Sequence, residues 1–329
     1  MSRPYLIAEA GVNHGGDIRA ALNMVRVASE SGCDAIKFQV YDPKQLATAD
    51  APAYWDTSLE PTLKQRDLFH RHAGLTRADY NGLARKCGDL GIDFVCSVFH
   101  VEDMEWLAPL VSHFKIASAD ITNRPLLEAV KASGKPIILS TGASNPAEVN
   151  NASRLVRPWA LLHCTLSYPT APKDVNLSAI SEFVWAYPTR MIGYSDHTTP
   201  EHSIAACVGA FHCGARVFEK HFSLTPDAPG NDHYHSLDGA GFARLREALD
   251  FAAVIQGSGG KRVLDCEQAA RAGARRSLTS TMRIPRGARI TPSMVALKRP
   301  GTGVTSFNGP ATATVDIPAD TTLTAEMFA

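Results

Sequence analysis

The feature that most constrains this chain is an alternation of short apolar runs, rich in β-branched residues, with longer amphipathic segments. Eight runs read as strands: Tyr5–Ala10, Ala35–Val40, Asp93–Val98, Phe114–Ala117, Pro136–Ser140, Ala160–Cys164, Met191–Tyr194 and Ala215–Phe218. Continuous apolar runs suit parallel strands covered on both faces, and helix-length intervals separate most of them. A helical pattern runs through Ala20, Val25 and Val27 to Ser31-Gly32. Another helix is expected after Thr76, with Asp79 three residues on to complete a cap. Gly239–Ile255 reads as a closing helix, stopped by Gly257-Ser258-Gly259-Gly260. The pattern predicts an α/β fold, a (β/α)₈ TIM barrel over residues 1–260. Residues 261–274 read as a linker. Residues 275–329 change texture to short pieces with turns at Pro285-Arg286-Gly287, Pro300-Gly301 and Pro318-Ala319. A small module of short strands and single helical turns is expected there, with a core slight enough to need another surface to pack on.

Nearly every predicted strand ends in polar or ionisable residues: Glu9, Lys37 and Gln39, Ser97, Lys115 and Ser118, Ser140-Thr141, His163 to Thr165, Ser195-Asp196-His197, and Glu219-Lys220-His221. Strands that merely run out into solvent explain one or two such ends. Eight ends carrying Lys, Glu and His on buried strands are better explained by convergence on one face, where a barrel builds its active site.

Lys plus Arg and Asp plus Glu number 33 each in 329 residues, so no basic field favours nucleic acid or an anionic membrane surface. No apolar run has the length of a membrane span, and the start of the chain does not read as a secretion signal. Seven scattered cysteines without a C-x-x-C pair read as reduced thiols, mostly buried, in a cytoplasmic protein.

His197 and His221 fall on the ends of adjacent strands. Two neutral imidazoles there suit a divalent metal, with Asp196 and Glu219 as candidates to orient the rings. His14, His163, His233 and His235 are alternatives that spacing does not separate. Lys37 and Lys115 lie inside apolar runs and aim at the same face. Either they clamp a small anion together with Ser97, Ser118, Ser140 and Thr141, or one forms a Schiff base; two lysines among hydroxyls favour the clamp. Glu9 reads as a base or a sugar ligand, and Asp120 as a carboxylate held ionised by Lys115, although a salt bridge would explain either.

Longer stretches carry a resemblance: I-A-E-A-G-V-N-H-G-G-D (7–17), D-A-I-K-F-Q (34–39), F-K-I-A-S-A-D-I-T-N (114–123), G-K-P-I-I-L-S-T-G (134–142), L-L-H-C-T (161–165) with Y-P-T (168–170), G-Y-S-D-H-T (193–198), F-E-K-H-F (218–222), P-G-N-D-H (229–233) and L-K-R-P-G-T-G (297–303). In that order the chain resembles bacterial N-acetylneuraminate (sialic acid) synthases. The resemblance implies a barrel followed by an antifreeze-like (SAF) domain in a domain-swapped homodimer. It implies condensation of phosphoenolpyruvate with N-acetylmannosamine or a relative, using Mn²⁺, or Mg²⁺ or Co²⁺ in its place. By motif, His197 and His221 match the metal ligands. Lys37, Ser97, Lys115, Ser118, Ser140 and Ser195 match phosphoenolpyruvate positions. Glu9, Gln39, Tyr168 and Asp232 match sugar positions, and Arg299 matches an arginine that reaches the partner's sugar. Glu9, Asp120, Lys37 and Lys115 are the catalytic candidates.

Departures from the family pattern bear on the sugar. Ala117-Ser118-Ala119-Asp120 stands where G-S-G-E is common, and Leu166 where asparagine or serine is. Gly230–His235 replaces a G-P-D-H form and adds two possible ligands or sugar contacts. The module looks shortened after Gly303, around Phe307-Asn308-Gly309. A modified or deoxy hexosamine, as in legionaminate or pseudaminate formation, is therefore an expected acceptor beside N-acetylmannosamine. Condensation with a phosphorylated sugar, or a barrel that only binds carbohydrate, are the alternative readings.

Overall fold

Eight parallel strands close into a barrel in chain order: β1 Tyr5–Glu9, β2 Ala35–Val40, β3 Asp93–Val98, β4 His113–Ile116, β5 Ile137–Ser140, β6 Ala160–His163, β7 Met191–Asp196 and β8 Val217–His221. This is a computed structural model, and it describes residues 3–230 and 232–329. Each strand stands where an apolar run predicts it. β7 and β8 continue past the apolar residues, because backbone pairing carries Ser195 to Glu219 and Asp196 to Lys220. Helices separate the strands, including Ile18–Glu30 capped by Asp17 and Arg77–Leu90, where Thr76 and Asp79 form the reciprocal cap. The closing helix is Gly239–Gln256.

Side chains alternate along each strand and so divide the apolar residues into two cores. Ile7, Ala35, Val95, Ile138, Ala160, Leu162 and Val217 fill the barrel interior. Leu6, Ala8, Ile36, Phe38, Cys96, Phe114 and Phe218 face outward into the layer shared with the helices. Gly193 is where the interior is tightest. A Cβ there would lie 2.3 Å from Leu162 Cδ2 and from Val217 O, so no larger residue fits.

The chain divides into two compact units, with the break after Gly257. Within Ser258–Ala329, a helical turn and the helix Gln268–Ala274 occupy much of the predicted linker. Two antiparallel pairs follow: β9 Ser277–Ser280 with β11 Val295–Lys298, and β10 Arg289–Ile290 with β12 Ala311–Thr312. Their core is small, built on Ile284, Ile290, Ala311, Ala313, Ile317 and Leu323. All seven cysteines are free, five of them buried, with Cys266 exposed. Among the described residues no helix is long and apolar enough to cross a membrane.

Candidate active site at the mouth of the barrel

The pairing register assembles the site. Glu9 on β1 pairs with Lys37 on one side and His221 on the other. Gln39 pairs with Ser97, Ser97 with Lys115, and Ser195 with Glu219. Side chains two apart on a strand share a face, so Lys37 and Gln39, Glu219 and His221, and Ser195 and His197 all look into the mouth. A cavity of about 450 Å³ opens there. Lining it are Glu9, Lys37, Gln39, Ser97, Lys115, Ser118, Asp120, Ser140, Tyr168, Ser195, His197, His221 and Asp232, whereas Thr141, also expected in the anion clamp, instead donates to Leu162 O at 2.9 Å. Arg299 belongs to the second unit, where it is exposed.

The floor is a buried charge network. Lys37 Nζ lies 2.9 Å from Glu9 Oε2 and 3.6 Å from Glu219 Oε2, and donates to Ser97 Oγ at 3.2 Å. Lys115 Nζ lies 3.7 Å from Glu219 Oε1, which also accepts from Ser195 Oγ at 3.0 Å. Gln39 donates to Glu9 Oε1 at 2.6 Å. Burial opposes every one of these charges, and the partners decide the outcome. For Lys37, Glu219 and Glu9 more than offset burial, and its pKa is raised. For Lys115 burial prevails over Glu219 and the pKa is lowered. Burial also penalises the Glu219 carboxylate, yet Lys115 and Lys37 hold it down to about 2. Ser140 Oγ is buried and has no hydrogen-bond partner among the described residues, as a group awaiting a ligand would be. Ser118 Oγ accepts from Gly142 N–H at 2.9 Å.

Glu219 is the residue that sequence reasoning misjudged. As a ring-orienting partner it would have to meet a histidine, but it bridges the two lysines instead. Asp196 is a second correction. Next to His197 in sequence, it points to the opposite face of β7 and pairs with Lys220 at 2.9 Å, both side chains fully buried. Asp120 is a third. Its carboxylate accepts from Asn123 Nδ2 at 3.1 Å, and burial raises its pKa without help or hindrance from Lys115.

The imidazoles gather at one side of the mouth. His197 Nδ1 donates to Thr165 O at 2.8 Å, which leaves Nε2 as the bare nitrogen, 3.4 Å from Ser195 Oγ. Burial, reinforced by His221, lowers its pKa to about 3, so the ring is neutral. The rings of His197 and His221 have centroids 5.6 Å apart. Tyr168 packs on His197 at 4.4 Å, and His221 Nδ1 lies 3.3 Å from Asp232 Oδ2. Gly11 passes beneath with φ +52°, where a Cβ would come within 2.9 Å of Asp232. Three alternatives are engaged elsewhere. His14 accepts from Gly16 N–H, while His163 and His233 bond to Val175 O and Ser223 Oγ. His235 is not: its ring lies 4.5 Å from that of His221, and His221, Asp232 and His235 bring one donor atom each within 4.8 Å of one another. Asn231, in the same stretch, lies outside the described residues.

The rest of the mouth comes from the long β2 connection. Tyr54, Trp55, Leu68 and Phe69 line it, with Trp55 Nε1 held by Glu60 O and Thr62 O at 3.1 Å each. Leu68 and Phe69 come from the helix Gln65–His72, while nothing in the local sequence period marks Tyr54 and Trp55, which lie on irregular backbone.

A closed parallel barrel whose strand ends carry a buried lysine–carboxylate floor beside a cluster of imidazoles defines a barrel enzyme. The NeuB family matches residues 24–261. Over 312 residues the chain is 35% identical to the N,N'-diacetyllegionaminic acid synthase of Legionella pneumophila, covering 91% of this chain and 86% of that one. It is 33% identical over 299 residues to the human N-acetylneuraminate-9-phosphate synthase, covering 89% and 82%. The crystal structure of the N-acetylneuraminic acid synthetase of Leptospira borgpetersenii, in complex with citrate, superposes with a TM-score of 0.73 at 31% identity, over 82% of this chain and 90% of that one. The chain belongs to the NeuB family, the sialic acid synthases, and is an enzyme.

Proposed function

We propose that this enzyme condenses phosphoenolpyruvate with the open-chain aldehyde of an unphosphorylated N-acetylhexosamine, N-acetylmannosamine or a modified or deoxy relative, to give a nonulosonic acid and phosphate. The observation that carries this reading is the pairing of a buried two-lysine, multi-hydroxyl floor with two adjacent histidines in one cavity. Among the lining residues Lys37 and Lys115 are the only lysines or arginines, and both lie in the floor, so the barrel itself offers cations for one phosphoenolpyruvate and no second set for a sugar phosphate.

The charge count favours a metal. Among the lining residues the two lysines, Lys37 and Lys115, face five carboxylates, Glu9, Glu60, Asp120, Glu219 and Asp232, a poor receptor for an anion without a further cation. His197, neutral with a bare Nε2, and its neighbour His221 fit a divalent cation such as Mn²⁺. When bound, that cation polarises the aldehyde oxygen.

Lys37 and Lys115, with Ser97, Ser118, Ser140 and Ser195, hold the phosphate and carboxylate and expose C3 of the enol. Glu9, Gln39, Tyr168 and Asp232 hold the sugar so that its aldehyde carbon faces C3. The C3–C1 bond forms, and the aldehyde oxygen takes up a proton. Water adds to C2 and loses its proton, with Glu9 or Asp120 placed to accept it. The new C2 hydroxyl then gives up its proton as the C2–O bond breaks, C2 becomes a ketone, and phosphate leaves with the bridging oxygen and that proton. The fixed ammonium and hydroxyl donors stabilise the charge throughout.

For its functional parts we divide the chain into a barrel (1–260), a linker (261–274) and an antifreeze-like module (275–329) that reaches the partner subunit's site through Arg299 in a domain-swapped, cytoplasmic homodimer. Phosphate release from phosphoenolpyruvate tests the reading, with free N-acetylhexosamines set against their 6-phosphates. Release with free sugars supports it. Release only with phosphorylated sugars selects the phosphorylated acceptor, and sugar binding without release selects a carbohydrate-binding barrel.

A further inference from the structure

We propose that His235 is a third imidazole ligand of the metal, so that this chain holds its cation with His197, His221 and His235 together with Asp232. The proposal deepens the metal-dependent reading and rests on it.

Backbone geometry places the group. The residues His233–His235 form a single 3₁₀ turn directly after Asp232, and residues three apart on such a turn lie on the same side. Asp232 and His235 are so related, with His235 Nε2 4.0 Å from Asp232 Oδ1. The turn lies beside β8, so the pair comes up against His221, 3.3 Å from Asp232 on its other oxygen. Tyr168 closes the group, its ring 4.4 Å from His197, 6.0 Å from His221 and 5.4 Å from His235.

His235 has no structural employment. Its side chain is fully buried, and neither ring nitrogen has a hydrogen-bond partner among the described residues. A buried imidazole left so is costly, and a fold keeps it only where something else satisfies the group. His221 Nδ1 is likewise buried and, among the described residues, meets only Asp232 Oδ2, at 3.3 Å. Donor atoms bound to one ion at about 2.1 Å lie roughly 3–4.3 Å from one another. The donors of His221, Asp232 and His235 fall within 4.8 Å of one another, and His197 stands beside them, its ring centroid 5.6 Å from that of His221. Three imidazoles and one carboxylate suit Co²⁺, Fe²⁺ or Zn²⁺ better than Mg²⁺, and leave positions open in a six-coordinate shell.

The test uses the full-length wild-type chain loaded with Co²⁺ alone, without substrate. A crystal structure with anomalous density is expected to place the ion about 2.1 Å from a ring nitrogen of His235. In solution, His235→Ala is expected to weaken Co²⁺ binding at least tenfold and to change the visible absorption of the bound ion. An ion bound by His197 and His221 with His235 more than 3 Å away would overturn the proposal. So would His235→Ala that folds and keeps both the affinity and the spectrum of wild type. If His235 proves unligated while Mn²⁺ still supports phosphoenolpyruvate turnover, only this inference fails. Absence of both metal binding and turnover would remove the synthase reading as well.

Discussion

Asp196 and Lys220 form an ion pair at 2.9 Å with both side chains fully buried, on the outer faces of the strands whose inner faces present His197 and Glu219 to the cavity. Tyr194 and Thr198 donate to the same carboxylate. Breaking one half of such a pair strands a charge in the interior. Lys220→Met is expected to lower stability by about 3–5 kcal/mol. Adding Asp196→Asn should recover much of that loss. Denaturant unfolding of the two single variants and the double variant measures the coupling, and additive losses would show that the pair does not act as a unit.

The floor lysine opposite Glu219 should matter for one substrate and not the other. Lys115→Met removes a buried cation 3.7 Å from Glu219. Loss of a charged contact of this kind costs about 1.5–3 kcal/mol, so KM for phosphoenolpyruvate should rise on the order of 10- to 100-fold. KM for the sugar should change little. Steady-state kinetics with each substrate varied in turn will separate the two.

Acid should destabilise the fold through a histidine far from the lysines. Burial, with a contribution from His72, lowers the His14 pKa from 6.5 to about 4. An unfolded chain takes up a proton near 6.5 that the folded chain refuses until about 4. Stability is therefore lost as pH falls through that window, by up to roughly 3 kcal/mol from this group. His14→Gln should flatten the pH dependence of unfolding between pH 6.5 and 4. An unchanged slope would assign the acid sensitivity to other groups.

The exchange of Arg299 between subunits can be tested by complementation. Arg299→Ala should raise the sugar KM about tenfold, the effect of one lost charged hydrogen bond, without altering phosphoenolpyruvate binding. His221→Ala should be inactive. Subunits carrying the two changes, when mixed and reassembled, should regain wild-type sugar affinity at the one barrel that has both residues. No recovery would place Arg299 in its own subunit's site or in none.

Much of this was legible in the sequence because strand periodicity controls both fold and site. The eight apolar runs fall on β1 to β8, and the polar residues at their ends converge because a closed parallel barrel leaves them no other place. What sequence obscured was facing. Asp196 and His197 are neighbours in the chain, yet successive side chains on a strand take opposite faces, so one meets Lys220 and the other the cavity. Applied to β8, the same period would have placed Glu219 beside His221 in the mouth and revealed it as the bridge between the lysines. Asp120 was misjudged for a related reason, since closeness in sequence to Lys115 does not survive the turn at Ser118–Asp120. Tyr54 and Trp55 sit on an irregular connection, where no period tells which way a side chain points, and His235 sits on a single 3₁₀ turn too short to leave a period in the sequence.

The most direct test of the central claim follows the bridging oxygen of phosphoenolpyruvate. With that oxygen labelled as ¹⁸O and a free N-acetylhexosamine supplied, the account predicts one nonulosonic acid per phosphate released, with the label in the phosphate. Unlabelled phosphate, or labelled phosphate formed without a nonulosonic acid, would contradict it.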